Sequence, residues 1–452
     1  MDLLLSIIES INDIMWGFAL LFILCGTGIY FTFKLRFIQI RKFGESFKRA
    51  FGGIKFGVAA GKDGMSSFQS LATAIAAQVG TGNLAGAATA IASGGPGAIF
   101  WMWVSAFFGM ATNFAEATAA QKFKTVDSDG AVIGGPAYYI RAGIKGPLGK
   151  FLATLFAVFL IVALGFFGIM VQSNSIGESF YNAFKFNPVI VGVLLSALVL
   201  IIVLGGVKRI ASITEKVVPF MGLFYIIGSL IVLFSNVGAT ADAFRQIVVG
   251  AFSPKSVMGG AIGITIRDSI RYGVARGLFS NEAGMGSTPH AHALARVDHP
   301  CDQGLVAIVG VFIDTFVILN LTAFVVNSSG AVSTGTTGIL LTQLAFSSVF
   351  KGFGNTFIAI CLFFFAFTTI IGWYFFGETN VKYLFGNKAV KVYAIIVGLF
   401  IVLGSALKVE LVWAMADLFN GLMVIPNLIG LLAISGVIVA LTKEHDQLKM
   451  KK

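Results

Sequence analysis

The sequence predicts an all-α membrane protein, and two features of its composition carry that prediction. Of the 452 residues, 57% are hydrophobic and only 12% are charged, and the mean hydropathy is +0.88. Long continuous apolar runs alternate with short polar loops, as in helices that cross a lipid bilayer. The 54 glycines fit close packing between such helices and breaks within them. We therefore expect a multi-pass protein embedded in the lipid bilayer.

Eleven membrane spans follow from a search with a window of about 20 residues. They lie near residues 13–33, 66–92, 96–121, 150–173, 188–206, 213–235, 257–295, 303–327, 355–377, 390–406 and 410–441. Span 2 (66–92) and span 7 (257–295) each contain residues that hold a helix poorly. We expect these two spans to be broken.

Lysine and arginine are distributed unevenly between alternate loops. The first loop, from Lys34 to Lys62, is strongly basic, whereas no lysine or arginine precedes Lys34. The positive-inside rule then predicts that the N-terminus lies outside and the C-terminus in the cytoplasm of a cell whose plasma or inner membrane holds the protein. Because the basic residues are dispersed among short loops, the formal net charge of +11 indicates membrane orientation and no nucleic-acid partner.

The arithmetic of the spans predicts an internal symmetry within one transmembrane transporter domain, residues 1–452. Without the first span, ten remain, and they divide into spans 2–6 and 7–11. An odd number of spans in each set forces the two sets into opposite orientations, which is an inverted repeat. We expect an extra span and basic loop in 1–62, a first repeat in 63–240, a second in 250–442 and a tail in 443–452.

The break in span 2 is predicted at Gly80-Thr81-Gly82-Asn83. A glycine costs about 1 kcal/mol relative to alanine inside a helix, and asparagine and threonine readily bond to nearby backbone. In hydrocarbon such a break is tolerated where the freed groups line a cavity or bind a ligand. Freed amides attract an anion and freed carbonyls attract a cation, so the break predicts a site for a zwitterion and an ion.

The break in span 7 is predicted as a hinge between Tyr272 and Ser280. The outer part, from Val257 to Ile266, is too short to cross the membrane, and a charged stretch follows it. Ser280 or Asn281 followed by Glu282 is typical of the start of a new helix. We expect two half-helices on either side of this hinge.

Two motifs resemble those of the alanine or glycine:cation symporter family. They are GTGN, which begins at Gly80, and the longer and more specific RGLFSNEAG, which begins at Arg276. The resemblance extends over nearly the whole chain and includes the extra first span and the basic first loop. It implies the LeuT fold of the amino acid-polyamine-organocation superfamily. It also implies symport of small neutral amino acids, usually with Na⁺.

The substrate that this resemblance implies is alanine or glycine. Its carboxylate would accept hydrogen bonds from the amides and side chains around the first break: Gln78, Gly80, Thr81, Gly82 and Asn83. Its ammonium would meet carbonyls freed around Gly273 to Gly277. Trp373, one helical turn beyond Thr369, would close the pocket around a small side chain, unless it faces lipid. Gln172 in span 4 is a further candidate.

The coupling ion that the resemblance implies is Na⁺. By similarity with the sodium site of this fold, its ligands would be the carbonyls of Ala76, Val79 and Phe365 and the hydroxyls of Thr368 and Thr369. Such oxygens suit a hard monovalent cation. The alternative for two adjacent threonines is a bond from each hydroxyl to a preceding carbonyl of the same helix.

Two other functions stay open on the sequence. A carboxylate inside a span is a default functional candidate, so Asp268, Glu116 or Asp314 could carry a proton in place of Na⁺. Asp268 could equally pair with Arg267 and Arg271, while Asp417 in span 11 is interpreted as a packing feature. A gated ion channel is the second alternative. No catalytic motif supports an enzyme.

Overall fold

A computed structural model describes residues 2–52, 54, 64–254, 264–407 and 409–450, which are almost entirely helical. Its α-helices, numbered along the chain, are α1 Asp2–Ile14, α2 Leu20–Lys34, α3 Ile38–Arg41, α4 Phe43–Phe51, α5 Ser67–Gln78, α6 Ala87–Gly94, α7 Gly97–Lys122, α8 Pro136–Gly143, α9 Pro147–Leu160, α10 Ile169–Phe184, α11 Pro188–Val203, α12 Gly206–Ser235, α13 Val237–Phe252, α14 Ile266–Asn281, α15 Pro289–Ala293, α16 Pro300–Val311, α17 Asn320–Ser328, α18 Gly338–Phe350, α19 Phe353–Phe385, α20 Val390–Ala406, α21 Val409–Ala433 and α22 Ser435–Met450.

Short elements complete this chain of helices. Two strands, β1 Thr125–Val126 and β2 Val132–Ile133, pair antiparallel in one loop. Four π-helical turns interrupt or join longer helices, and they are Met15–Ala19, Gly82–Gly86, Ile161–Gly168 and Phe312–Leu319. Two 3₁₀ turns, Ala331–Thr334 and Asn387–Ala389, lie in loops.

The prediction of an all-α membrane protein is confirmed. Within the described residues, eight helices are long and apolar enough to cross a membrane, and they cover predicted spans 1, 3, 4, 6, 8, 9, 10 and 11. Span 5 corresponds to α11, a shorter apolar helix. The sequence did not predict α13 and α18, which occupy segments that we had left between spans. The repeat boundaries at 63–240 and 250–442 stay predictions.

The predicted break in span 2 is present. Helix α5 begins at a capping box, in which Ser66 and Gln69 each accept a hydrogen bond from the other residue's amide, and it ends at Gln78. Val79 is extended, with φ −82° and ψ 90°. The chain then turns into the π-helical segment Gly82–Gly86 and continues as α6. Two half-helices therefore meet near the middle of the span.

The predicted position of the break in span 7 is wrong. Helix α14 runs without interruption through Gly273 and Gly277 and ends at Asn281, after which Glu282 is left-handed with φ 57°. The glycines pack against α7: a Cβ on Gly273 would lie 2.9 Å from the Trp101 side chain. Because their carbonyls lie inside a helix, the predicted freed carbonyls from Gly273 to Gly277 are not there. The predicted outer half-helix lies largely outside the described residues.

The last predicted span is also divided differently. Helix α21 ends at Ala433, and α22 begins at Ser435 and includes part of the segment that we had predicted to be a tail. Asp446 in α22 accepts hydrogen bonds from Lys42 and from Arg41, the latter at 2.9 Å. These ion pairs hold the C-terminal helix against the basic first loop, and they keep the pKa of the Asp446 carboxyl below its usual value although its partial burial opposes this.

Candidate substrate and ion site

The hydroxyl of Thr369 lies among carbonyl oxygens of two helices. Its Oγ1 is 2.9 Å from the Ala76 carbonyl oxygen, 3.3 Å from that of Val79 and 3.0 Å from that of Phe365. A hydroxyl has a single proton to donate, so it can satisfy only one of three acceptors at a time. The sequence-predicted ion ligands on α5 and α19 are thus brought together, and the cluster has more acceptor oxygens than protons.

The break in span 2 is the reason that these carbonyls are free. In an unbroken helix the Ala76 carbonyl would accept from the amide of Gly80 and the Val79 carbonyl from that of Asn83. Here the Gly80 amide donates to Asn83 Oδ1 at 2.9 Å, and the Asn83 amide donates to the Gly80 carbonyl at 3.3 Å. The carbonyls of Ala76 and Val79 therefore point at Thr369 on α19 instead.

Thr368 uses its hydroxyl differently from its neighbour. Its Oγ1 donates within α19, 3.0 Å from the carbonyl oxygens of both Phe364 and Phe365. This is the alternative that the sequence left open for adjacent threonines. The ligand role of Thr368 stays a prediction that requires its hydroxyl to turn its lone pairs towards the ion.

Side-chain oxygens accept hydrogen bonds from the amides freed at the same break. Gln172 Oε1 accepts from the Thr81 amide at 3.1 Å, and Asn83 Oδ1 accepts from Gly80 as described above. The Thr81 hydroxyl is buried, and within the described part of the chain it has no hydrogen-bond partner. Glutamine and asparagine oxygens thus occupy positions in which a carboxylate oxygen could accept the same hydrogen bonds.

Gln78 and Gly82 connect the two broken spans. Gln78 Nε2 donates to the Asn281 carbonyl at 2.6 Å, at the end of α14. A Cβ on Gly82 would lie 3.1 Å from the Ser280 Cα, so the two backbones approach closely there. A larger residue at this position would press on Ser280, and the close approach puts the start of the outer half of span 2 beside the end of α14.

Trp373 is buried at the same level, with 2% of its surface exposed. Its indole Nε1 donates to Glu282 Oε1 at 2.5 Å, and its ring meets that of Phe279 edge-on with centroids 6.0 Å apart. A Cβ on Gly168 would lie 2.6 Å from the indole, so the π-helical turn of span 4 makes room for it. The alternative of a lipid-facing tryptophan is therefore excluded.

Three buried carboxylates surround the second break. Asp314 accepts from Asn83 Nδ2 at 2.7 Å and from the Ser280 hydroxyl at 2.9 Å. Glu116 accepts from the Gly284 amide at 3.0 Å. Glu282 accepts from Trp373 and from the Ser287 hydroxyl. The sequence had predicted Glu282 to begin a helix, although an acidic residue within an apolar span was itself a signal of a functional group.

Asp268 differs from these three carboxylates. Its carboxylate caps α14 by accepting from the amide and hydroxyl of Thr265, at 2.9 and 2.7 Å, and these bonds are exposed. Arg271 pairs with Asp13 instead. The predicted pairing of Asp268 with Arg271 is therefore wrong, and the Asp268 carboxylate lies at an exposed helix start instead.

Arg276 and Asp417 form a bidentate ion pair between α14 and α21. Both pairs of nitrogen and oxygen atoms are 2.9 Å apart, and the guanidinium lies 4.9 Å from the ring centroid of Trp413. Arg276 and Trp413 line a cavity of about 190 Å³ together with Glu178. The interpretation of Asp417 as a polar packing feature is consistent with this ion pair between two helices, and its partner Arg276 also lines the cavity. A separation of 141 positions hid the pair from the sequence.

Comparison with known proteins gives one family over the whole chain. The model of the sodium:alanine symporter family matches residues 1–452. The chain is 42% identical to the sodium/alanine symporter AgcS of Methanococcus maripaludis over 449 residues, which are 98% of each chain. It is also 42% identical to GlnT of Bacillus subtilis, described as a probable sodium/glutamine symporter, over 99% of this chain and 92% of GlnT.

Solved structures show the fold. The crystal structure of MhsT in complex with L-phenylalanine is similar to this chain with a TM-score of 0.57 and 12% identity, covering 83% of this chain and 97% of MhsT. At 12% identity this similarity is evidence for the fold alone. It confirms the predicted LeuT fold, while the division into two inverted repeats of five spans stays a prediction.

Proposed function

Since this chain belongs to the sodium:alanine symporter family, we propose that it imports alanine and glycine together with Na⁺ by alternating access. It is a multi-pass membrane transporter and not an enzyme. The observation that carries the proposal is the cluster at Thr369, where one hydroxyl proton faces three carbonyl oxygens. A cation at this point would let all of these oxygens act as ligands.

Na⁺ fits this cluster because it is hard and monovalent. Carbonyl and hydroxyl oxygens suffice for such an ion without a carboxylate. In the proposed site Ala76, Val79 and Phe365 supply carbonyls, and Thr369 turns its lone pairs inwards, with Thr368 as the second hydroxyl. The negative end of the α5 dipole, at Gln78, adds to the attraction.

The substrate carboxylate is proposed to replace Gln172 at the break. Its oxygens would accept from the amide of Thr81 and from its unpartnered hydroxyl, beside the amides of Gly80 and Gly82. Asn83 is proposed to keep its present role, since its Oδ1 accepts from the Gly80 amide and its Nδ2 donates to Asp314. Binding would then exchange one set of hydrogen bonds for another without leaving a buried donor unpaired.

The substrate ammonium is proposed to lie at the end of α14. The last carbonyls of a helix have no amide of a following turn to bond to, and those of Phe279 and Ser280 lie in this turn. The negative end of the helix dipole favours a cation there. Because Gly82 touches Ser280, the anion-binding and cation-binding ends of the pocket are adjacent, as an α-amino acid requires.

The size of the side chain is proposed to be limited by two aromatic rings. Trp373 is fixed by Glu282 and by Gly168, and Phe279 meets it edge-on. The methyl group of alanine would contact these rings. Glycine, which lacks this group, would also fit. GlnT is equally similar in sequence. Overall identity therefore does not decide between alanine and glutamine, and we assign the selectivity to these two rings.

Uptake into proteoliposomes tests the proposal. With an inward Na⁺ gradient at fixed pH, radiolabelled alanine should accumulate, and unlabelled glycine should compete with it. One Na⁺ crossing 100 mV supplies about 2.3 kcal/mol, which supports accumulation of about 40-fold. Equal uptake from Na⁺ and choline media would refute Na⁺ coupling, and current without saturable alanine flux would indicate a channel.

Orientation is part of the same proposal. The basic loops place the N-terminus outside and the C-terminus in the cytoplasm, by the positive-inside rule. A membrane-impermeant maleimide should then label a cysteine substituted at Lys185, which lies in a loop of the opposite side, in intact cells. A cysteine at Lys388 should react only after permeabilisation, and the reverse pattern would invert the topology.

Asp314 supports proton coupling as a second candidate. Its carboxylate is fully buried, and its hydrogen-bond partners in the described chain are the neutral Asn83, Ser280 and Thr315. A proton on Asp314 would change its hydrogen bond with Asn83. Because the Gly80 amide donates to the same Asn83 side chain, that bond would change as well. Alanine uptake driven by a pH gradient in Na⁺-free medium, and lost in Asp314→Asn, would select this candidate.

A further inference from the structure

Two cavities adjoin the inner half-helix α5, away from the site described above. A pocket of about 280 Å³, here named the basic pocket, is lined by Lys48, Arg49, Ser67, Arg296, Asp298 and Asp302. A groove of about 330 Å³, here named the apolar groove, is lined by hydrophobic side chains that include Phe51, Phe68, Ile75, Met221 and Ile313. The apolar groove shares only Val79 with the proposed Na⁺ site, and the basic pocket shares no residue with it.

The two cavities lie along one seam, which is formed by α4, α5 and span 8. Lys48 lines the basic pocket, and Phe51 lines the apolar groove one helical turn further along α4. At the start of α5, Ser67 belongs to the pocket, and the next residue belongs to the groove. In span 8, Val306 and Ile313 stand two turns apart in the same order. A charged end and an apolar channel thus lie next to each other along α4, α5 and span 8.

The lining of the basic pocket holds more cations than carboxylates. Arg49 is engaged by Asp302 at 2.8 Å and by Glu45 at 3.0 Å. Lys48 and Arg296 are exposed, and neither side chain has an ion-pair partner in the residues that the structure describes. With Arg49 paired to Asp302, Lys48 and Arg296 stand against the single remaining carboxylate of Asp298, and this net positive charge suits an anion such as a phosphate group.

The apolar groove opens towards the lipid-facing surface. Leu223 on its rim is 59% exposed, and Phe220 beside it is 56% exposed. The inner wall includes Ile75 and Val79, on the same helix whose carbonyls face Thr369. An occupant of the groove would therefore support α5 from behind the proposed Na⁺ site.

We propose that an anionic phospholipid binds along this seam, with its phosphate in the basic pocket and an acyl chain in the apolar groove. The charge selects the headgroup, because basic residues beside a membrane attract anionic lipids. The apolar lining selects a chain and not a soluble anion. The amphipathic helix α4 joins the two parts, since its phenylalanines pack on Phe312 while Lys48 and Arg49 remain at the surface.

Native mass spectrometry of the purified full chain tests the proposal without reference to transport. The protein is offered equal amounts of phosphatidylglycerol and phosphatidylcholine of the same chain length. We expect about a fivefold preference for phosphatidylglycerol, from the one net positive charge of the pocket. Lys48→Gln/Arg296→Gln should lose most of that preference. The control Lys388→Gln, which removes an exposed lysine elsewhere, should keep it.

A second variant tests the groove. A Cβ on Gly222, which lines it, meets nothing within 4 Å, so Gly222→Leu fills the groove without displacing the backbone. Retention of both lipids should fall in this variant at an unchanged melting temperature in detergent. Gly26→Leu is the matched control, because Gly26 also has open space around it and lies on α2, away from the groove.

Two results would overturn the proposal. One is an unchanged phosphatidylglycerol preference in Lys48→Gln/Arg296→Gln. The other is unchanged lipid retention in Gly222→Leu, together with a melting temperature that inorganic phosphate alone raises in the lipid-free protein. That second pattern would mean that the basic pocket binds a free anion, and that the apolar groove does not hold its chain.

Discussion

Replacing Thr369 by valine removes one oxygen from the proposed Na⁺ site and keeps the shape of the side chain. In the structure this hydroxyl is within 3.3 Å of three carbonyl oxygens, so its loss removes one side-chain ligand from the proposed ion site. A polar contact with a charged group contributes about 1.5–3 kcal/mol. The Na⁺ concentration for half-maximal uptake should therefore rise about 10- to 150-fold.

The assay is initial alanine uptake into proteoliposomes over a range of external Na⁺. Thr369→Ser is the matched control, because it restores the hydroxyl and should bring the Na⁺ requirement back towards that of the wild type. At saturating Na⁺ the maximal rate of Thr369→Val should recover in large part. A Na⁺ requirement equal to that of the wild type in Thr369→Val would remove Thr369 from the ion site.

Four further substitutions test the rest of the site. Gly80→Ala should abolish Na⁺-dependent uptake while the protein still folds, because the new methyl group would collide with the Thr369 hydroxyl; normal uptake would show that the break tolerates a side chain. Trp373→Ala should strengthen competition by leucine against alanine uptake by about tenfold, and unchanged selectivity would remove the indole from the pocket wall. Arg276→Lys and Asp417→Asn should each slow uptake, since neither keeps the bidentate pair; strictly additive effects in the double variant would argue against their coupling.

The break in span 2 could be predicted because its signal is local. Gly80, Thr81, Gly82 and Asn83 are adjacent in the sequence, and each is a poor helix former in its own right. The proposed Na⁺ ligands around this break came from the family resemblance. The structure brings the Thr369 hydroxyl to the carbonyls of α5.

The break in span 7 was misplaced because its glycines serve packing. The hinge was predicted from the short outer part, the charged stretch and Ser280 or Asn281 before Glu282. The two glycines inside it, Gly273 and Gly277, cost the helix only about 1 kcal/mol each. They let α14 lie close against α7 instead, and the contact offsets that cost. Helix α14 ends where Glu282 adopts a left-handed conformation, a position that local preference alone does not reveal.

Partners distant in sequence explain the remaining differences. Asp417 meets Arg276, and Glu282 meets Trp373, across separations of 141 and 91 positions. Without an alignment, no pattern in one sequence joins such pairs. Their positions inside apolar spans did mark them as unusual, because a charge at that depth needs a partner or a function.

Simultaneous measurement of Na⁺ and alanine influx tests the central claim most directly. Proteoliposomes containing the wild-type protein receive radiolabelled Na⁺ and radiolabelled alanine at a clamped potential and fixed pH. We expect alanine to stimulate Na⁺ entry in a fixed ratio, and Thr369→Val to lose both fluxes together at low Na⁺. Alanine entry that leaves the Na⁺ flux unchanged would contradict coupled transport through a site at the two broken spans.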